Sequence, residues 1–120
     1  MRKRILVVDD DTMNLVRTKM ILGEEYDVLL ADSGMEALDK LKWETVDLVL
    51  LDIEMPKLNG IETFERMKEF ASDVPVIFLT ASGLEEDVRS AIRLGAVNYL
   101  MKPFQPQELM KRIAQEFEKQ

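Results

Sequence analysis

The sequence contains no cysteine and no histidine. Without cysteine there are no disulfide bonds, which is consistent with a reducing compartment such as the cytoplasm. Without histidine the chain lacks the commonest general base and the commonest transition-metal ligand. A zinc site is therefore not expected, because zinc in proteins is held mainly by these two residue types.

Long apolar runs are also missing. No segment approaches the roughly 20 apolar residues of a membrane-spanning helix, and residues 1–4 are followed by only four apolar residues before three aspartates. We therefore expect neither a membrane span nor a secretory signal. The formal net charge of −7 argues against direct binding of nucleic acid. The chain has 120 residues, of which 47% are hydrophobic and 32% charged. This length and composition predict a single globular domain over residues 1–120, located in the cytoplasm.

Apolar runs and helical patterns alternate along the chain. The apolar runs predict five strands, at residues 5–8, 28–31, 46–51, 76–79 and 98–101. After each strand, apolar residues recur at helical spacing, within residues 14–22, 35–43, 61–70, 84–92 and 109–117. Five strand–helix units joined by short links predict an α/β fold, with a parallel sheet and helices on both faces.

Several methionines occur at helical spacing. Met13, Val16 and Met20 share one face of the first predicted helix, and we expect this face to pack on the core. Met35 and Met67 are likewise predicted to fill core space, since a flexible methionine adapts to irregular gaps. Trp43, near the end of the second predicted helix, is interpreted as a partly exposed packing residue.

Polar and charged side chains stand where the predicted strands end. The carboxyl ends of parallel strands meet at one edge of a sheet, so we expect these side chains to converge. Two carboxylates about 4 Å apart repel by roughly 1 kcal/mol in bulk water, so such a cluster needs a cation or raised pKa values. Mg²⁺ suits it, because this ion prefers oxygen ligands. The residues are Asp9, Asp10 and Asp11 after the first strand, Asp52 after the third, Thr80 after the fourth and Lys102 after the fifth.

These groups together favour phosphoryl transfer. Asp52 supplies a carboxylate nucleophile, Thr80 a hydroxyl donor and Lys102 a positive charge. With a metal ion beside them, they predict a site in which Asp52 becomes an acyl phosphate. Taken by itself, Asp52 fits a strand terminator or turn starter equally well.

Four motifs in this order, VVDDD, LLDIEMP, LTA and KPF, make the whole chain resemble the receiver domain of bacterial two-component response regulators. The resemblance implies a flavodoxin-like, doubly wound (βα)5 fold with strand order 2-1-3-4-5. It implies that Asp52 is the phosphoacceptor, that Asp10 binds Mg²⁺ directly, and that Asp9 binds it mainly through water. The backbone carbonyl of Glu54 is implied as a further ligand. Asp11 has no fixed role in the family and is interpreted as a solvated or helix-capping acid.

The resemblance also implies how the switch works. Thr80 would contact the phosphoryl group and Lys102 would pair with it. Tyr99 would be the switch aromatic, which turns inward when the threonine moves toward phosphate. The Lys102–Pro103 peptide bond is implied to be cis.

Partners follow from the same resemblance. A histidine kinase or a phosphotransfer protein would supply the phosphate. A downstream output domain or protein, or a second copy of the chain, would meet the fourth helix, fifth strand and fifth helix. Val97 and Asn98 stand where transcription-factor receivers often carry paired acids, which counts against their salt-bridged dimer. Arg89, Arg93 and Glu108 remain available for such contacts.

Two other classes fit parts of the pattern. A small Mg²⁺-dependent phosphatase uses an aspartyl nucleophile, but usually carries a second Asp where this chain has Glu54, and needs a cap for which 120 residues leave little room. A flavodoxin-like cofactor binder needs a phosphate-cradling loop after the first strand, where three acids would repel FMN. The sequence therefore predicts a signalling domain that catalyses only its own phosphorylation and slow dephosphorylation.

Overall fold

The computed structural model describes residues 2–81 and 85–119. Within this part of the chain, strands and helices alternate. The elements are β1 (Arg4–Val8), α1 (Thr12–Leu22), β2 (Asp27–Ala31), α2 (Gly34–Trp43), β3 (Leu48–Asp52), α3 (Gly60–Met67), β4 (Val76–Thr80), α4 (Glu85–Arg93), β5 (Asn98–Met101) and α5 (Pro106–Glu118). Leu84, which the sequence places at the start of the fourth helix, lies outside the described residues.

The strands form one parallel sheet in the order β2-β1-β3-β4-β5. The predicted flavodoxin-like order 2-1-3-4-5 is therefore confirmed. Every residue of β3 and β4 is buried, as expected for central strands covered by helices on both faces.

Side chains of the sheet alternate between two cores. Leu51 and Phe78 belong to the core under α2, α3 and α4, where Phe78 packs edge-on against Phe64 with ring centroids 5.4 Å apart. Leu50 and Leu79 belong to the core under α1 and α5. Both faces of the sheet are thus filled, and its carboxyl edge is left for polar groups.

Helix α1 begins at Thr12, two residues before the predicted start, because Asp11 caps it. The Asp11 carboxylate accepts hydrogen bonds from the backbone N–H groups of Met13, at 2.9 Å, and Asn14, at 3.3 Å. A carboxylate in this position satisfies N–H groups that have no partner within the helix. The interpretation of Asp11 as a helix-capping acid is confirmed.

The prediction for the apolar face of α1 is wrong. Met13 and Met20 are 76% and 77% exposed, whereas Leu15, Thr18 and Leu22 are buried against the sheet. The helix carries two apolar stripes and can bury only one of them. Ordering a methionine side chain costs more conformational entropy than ordering a leucine, which favours burial of the leucine stripe.

Two further expectations about apolar side chains fail, and one is confirmed. Met35 is 60% exposed and Trp43 is 81% exposed, so neither fills the core nor packs as a half-covered residue. Met67 on α3 is buried as predicted. Met35 and Trp43 lie at the two ends of α2, where the helix extends past the buried side chains in its middle.

A lysine covers the outer edge of β2. The carbonyl of Ala31 accepts a hydrogen bond from Asp9 at 3.1 Å, on the β1 side. Because peptide groups alternate in direction along a strand, the carbonyl of Leu30 points away from β1. It accepts a hydrogen bond from Nζ of Lys40 on α2.

No helix among the described residues is long and apolar enough to cross a membrane.

Candidate functional site

The register of the sheet brings the predicted site residues to one edge. Val8 pairs with Leu51, so the next residues, Asp9 and Asp52, stand level at the ends of β1 and β3. Asp52 pairs with Leu79, which places Thr80 one residue further along β4. Thr80 pairs with Met101, the residue before Lys102. The convergence predicted from the sequence is therefore observed.

Asp52 is the last residue of β3 and is only 5% exposed. One carboxylate oxygen accepts a hydrogen bond from the N–H of Glu54 at 3.2 Å, and the other lies 3.4 Å from Nζ of Lys102. Burial raises the pKa of Asp52 from its ordinary 3.8 to about 6; the charge of Asp9 acts in the same direction, while Lys102 opposes both. Even so, a pKa of about 6 leaves the carboxylate mostly ionised at neutral pH.

Asp9, which is buried, and Lys102, which is partly buried, form an ion pair. The Nζ of Lys102 donates to Oδ2 of Asp9 at 2.7 Å, and Oδ1 of Asp9 accepts from the N–H of Asp11 at 2.9 Å. Burial alone would lower the pKa of Lys102, but its hydrogen bond with Asp9 and the charges of Asp52 and Asp9 outweigh burial and raise it. Lys102 is therefore a positively charged ammonium at this edge.

The three acids predicted to hold a metal lie close together. One carboxylate oxygen each from Asp9, Asp10 and Asp52 lies within 4.8 Å of the other two. Asp10 is exposed, while Asp9 and Asp52 are buried. This donor set consists of oxygen atoms and carries a high negative charge, which matches a hard divalent cation. The cluster could therefore bind a metal ion.

Gly60 holds the start of α3 against the loop that follows Asp52. Its N–H donates to the carbonyl of Ile53 at 2.9 Å. A Cβ atom at this position would lie 2.2 Å from the carbonyl oxygen of Asp52 and 2.8 Å from Cα of Ile53. Such contacts are far inside van der Waals distance, so only glycine fits without moving the backbone next to Asp52.

The remaining predicted site residues lie on β4 and β5. Thr80 is fully buried at the end of β4, and Tyr99 is half-buried against the core under α2, α3 and α4. The Lys102–Pro103 peptide bond is cis, as predicted. Glu54 follows Asp52 by two residues; its side chain is exposed, and its backbone N–H donates to the Asp52 carboxylate at 3.2 Å.

A cavity of about 300 Å³ opens beside the ion pair, between α1 and the loop after β5. Asp9 and Lys102 line one part of it, and Asn14, Arg17 and Phe104 line another.

Sequence reasoning missed a network around Arg112 on α5. The Nη1 of Arg112 donates to Oδ1 of Asn98 and to the carbonyl of Tyr99, both at 2.7 Å. Its Nε donates to Glu108 at 2.8 Å, so Glu108 is paired within the chain. The spacing of four residues between Glu108 and Arg112 was a visible signal for that pair. Nothing local in the sequence connects Arg112 to β5.

Comparison with known proteins agrees with this geometry. Residues 5–114 match the model of the response regulator receiver domain family. Over 113 residues the chain is 45% identical to the transcriptional regulatory protein CpxR homolog of Haemophilus influenzae, covering 94% of this chain and 49% of that protein. It is 40% identical over 114 residues to the alkaline phosphatase synthesis transcriptional regulatory protein PhoP of Bacillus subtilis, covering 94% and 48%. The chain thus spans about half the length of these curated relatives.

Solved structures share the fold. A CheY-like response regulator receiver domain from Methanospirillum hungatei superposes with a TM-score of 0.95 at 35% identity, covering 99% of this chain and 96% of that one. The BeF3-activated receiver domain of DrrB superposes with a TM-score of 0.90 at 31% identity, covering 98% and 99%. The matched family, the sheet order and the acidic strand ends lead to one conclusion. The chain belongs to the response regulator receiver domain family of two-component systems.

Proposed function

We propose that this chain is a phosphorylation-dependent switch that accepts a phosphoryl group on Asp52. The observation that carries the proposal is a buried carboxylate at the end of a central strand, with an ammonium 3.4 Å away and two further aspartates beside it. The phosphate would come from a histidine kinase or a phosphotransfer protein. Residues 1–120 would form one receiver domain. It would be located in the cytoplasm and would make no direct contact with nucleic acid or membrane.

In the proposed reaction, a carboxylate oxygen of Asp52 forms a bond to phosphorus while the P–N bond of a phosphohistidine breaks. The departing imidazole nitrogen keeps the electron pair of that bond. Only the ionised carboxylate is a nucleophile, and with a pKa of about 6 most of Asp52 is ionised at neutral pH. The domain would catalyse this transfer and the slow hydrolysis of its own acyl phosphate, and would act on no other substrate.

Asp9, Asp10 and Asp52 would hold Mg²⁺, with the backbone carbonyl of Glu54 as a further ligand. The oxygen donors within 4.8 Å of one another support this choice. When bound, Mg²⁺ neutralises charge on the oxygens of the phosphoryl group. Asp9 also has a role without metal, since it fixes the position of the Lys102 ammonium.

Lys102 and Thr80 would bind the phosphoryl group after transfer. Lys102 already lies between two carboxylates and needs to move little to reach a new anion on Asp52. Thr80 stands one residue beyond the position opposite Asp52 on the neighbouring strand. One or two charge-assisted hydrogen bonds, each of roughly 1.5–3 kcal/mol, would shift a two-state equilibrium by about one to four decades.

The output face would consist of α4, β5 and α5. Thr80 precedes α4, and Tyr99 and Lys102 belong to β5 and the residue after it, so a phosphoryl group held by Thr80 and Lys102 acts on both elements. A downstream output domain or protein, or a second copy of the chain, would dock here. Among the described residues, the large apolar side chains of Ile92 on α4, Met101 on β5 and Val97 just before β5 are exposed.

Phosphorylation is tested with acetyl phosphate and Mg²⁺ by intact-mass analysis of the wild type and of Asp52→Asn. We expect the wild type to gain one phosphoryl group that is stable in acid and labile in base. Asp52→Asn keeps the shape of the side chain but lacks the nucleophile, and we expect it to gain none. Equal labelling of both proteins would overturn the assignment of Asp52.

The output face is tested with beryllofluoride, which mimics a phosphoryl group on aspartate. Amide chemical shifts should change from the Asp52 pocket through residues 80–110 and should largely spare α2. Changes confined to the pocket, or centred on α2, would contradict the proposed face.

A further inference from the structure

We propose that Arg112 is a positioning residue of the switch, which ties α5 to the backbone of Tyr99 and makes the helix move with β5. The inference rests on the proposed function, because Tyr99 acts as a switch residue only within it.

The backbone N–H and C=O groups of Tyr99 face the open edge of the sheet. The N–H of Lys102 donates to the carbonyl of Thr80 at 2.7 Å, toward β4. Backbone N–H and C=O groups alternate in direction from one residue to the next along a strand. Those of Tyr99, three residues before Lys102, therefore point away from β4. No strand of the described sheet lies on that side. No backbone partner in the sheet is therefore within reach of these two groups.

Asn98 and Arg112 satisfy them in a closed ring of hydrogen bonds. The N–H of Tyr99 donates to Oδ1 of Asn98 at 2.8 Å. The same oxygen accepts from Nη1 of Arg112, which also donates to the carbonyl of Tyr99. The C=O of Tyr99 is thus bound directly to Arg112 of α5, and its N–H is bound to the same side chain through Asn98.

The geometry depends on a guanidinium. Glu108, one turn earlier on α5, accepts from Nε at 2.8 Å and fixes the plane of the Arg112 side chain. Nη1 then donates to two acceptors at 2.7 Å, Oδ1 of Asn98 and the carbonyl of Tyr99, while Nε donates to Glu108. A lysine has one nitrogen on a flexible stem and does not reproduce this fork. The side chain of Arg112 is 30% exposed, so water competes less for these bonds than on an open surface.

This ring gives a path from the phosphorylation site to α5. Thr80 pairs with Met101, so a displacement at the end of β4 acts on β5 two residues from Tyr99. Tyr99 cannot shift its backbone without moving Arg112 or breaking bonds to it. With the bonds kept, α5 follows β5.

The test uses the whole chain and amide chemical shifts with and without saturating beryllofluoride and Mg²⁺. Arg112→Ala removes the ring, and Arg112→Lys keeps the charge but not the fork. Lys111→Ala is the matched control, since this exposed neighbour on α5 takes no part in the ring. In the wild type and the control we expect shift changes at Ala81, at Lys102 and along residues 106–113. In both Arg112 variants the changes at Ala81 and Lys102 should remain, while those along residues 106–113 should fall by more than about half.

A merely structural role would lower thermal stability without altering the pattern of shift changes. Undiminished changes along residues 106–113 in Arg112→Ala would overturn the proposal. If Arg112→Ala does not fold, Asn98→Ala removes the link through Oδ1 and leaves only the bond from Arg112 to the Tyr99 carbonyl. The changes along residues 106–113 should then fall below those of the wild type, and undiminished changes would again overturn the proposal. Absence of shift changes at Ala81 and Lys102 in the wild type would instead overturn the proposed function, and this inference with it.

Discussion

Lys102 binds Asp9 more closely than it binds Asp52: its Nζ lies 2.7 Å from Oδ2 of Asp9 and 3.4 Å from Oδ2 of Asp52. In the protein without metal, Lys102 is thus the cation that balances two buried carboxylates. We expect Lys102→Met to lower the free energy of unfolding by about 1–3 kcal/mol, because it leaves both carboxylates without a cationic partner. Urea unfolding in EDTA measures this loss.

The control for this prediction is Lys111→Met, at an exposed position on α5. It should change the unfolding free energy by less than about 0.5 kcal/mol. Adding Mg²⁺ should restore part of the stability of Lys102→Met, because a cation replaces the ammonium. A variant as stable as the wild type in EDTA would show that Lys102 does not balance these charges.

The raised pKa of Asp52 predicts a pH-dependent effect of Asp52→Asn. For an acid whose pKa rises on folding, the favourable contribution is fully present below the unfolded value of 3.8 and is lost as pH rises through about 6. Asparagine carries no charge at any pH. Asp52→Asn should therefore gain stability relative to the wild type as pH rises, by at most about 3 kcal/mol.

Urea unfolding in EDTA at about pH 3 and about pH 7.5 measures the difference on both sides of this window. Asp39→Asn, at an exposed position on α2, serves as the control. A stability difference between wild type and Asp52→Asn that stays constant across the window would contradict the raised pKa.

Divalent ions should stabilise the resting protein through the acidic cluster. Asp10 is the exposed member of the cluster, so Asp10→Ala removes a ligand without opening a cavity in the core. At a hundredfold excess of Mg²⁺ over its dissociation constant, the wild type should gain about 2.7 kcal/mol, and the variant much less. Thermal melting with and without Mg²⁺ gives both gains; equal gains would place the metal elsewhere.

Gly60→Ala should disturb both stability and phosphorylation. The added Cβ would lie 2.2 Å from the Asp52 carbonyl oxygen, so the backbone beside the proposed phosphoacceptor must shift, at a cost of about 1–3 kcal/mol. Gly23→Ala is the comparison, since its Cβ would meet only the Lys19 carbonyl, at 2.9 Å. Urea unfolding and the initial rate of labelling by acetyl phosphate should both be impaired more in Gly60→Ala. Equal effects in the two variants would show that contact with Asp52 is not what matters.

The sequence was sufficient where one local pattern decides the structure. The buried run of β3 ends abruptly at Asp52, and parallel topology then brings Asp9 and Lys102 to the same edge. It was insufficient where two solutions compete or where partners are far apart. On α1, the Met13 stripe and the Leu15 stripe have the same spacing, and only packing against the sheet selects the leucine. The contact between Arg112 and Tyr99 depends on how α5 lies across β5, which no local pattern reports.

On both outer strands of the sheet, a cationic side chain from a helix binds an outward carbonyl. On β2 the outward carbonyl of Leu30 is bound by Lys40, and on β5 that of Tyr99 is bound by Arg112. An open strand edge is a template on which another chain can add a strand, the first step of aggregation. A cation supplied by the neighbouring helix occupies an acceptor that such a strand would need and places a charge in its path. These two residues therefore disfavour edge-to-edge pairing of this domain with another chain in a crowded solution.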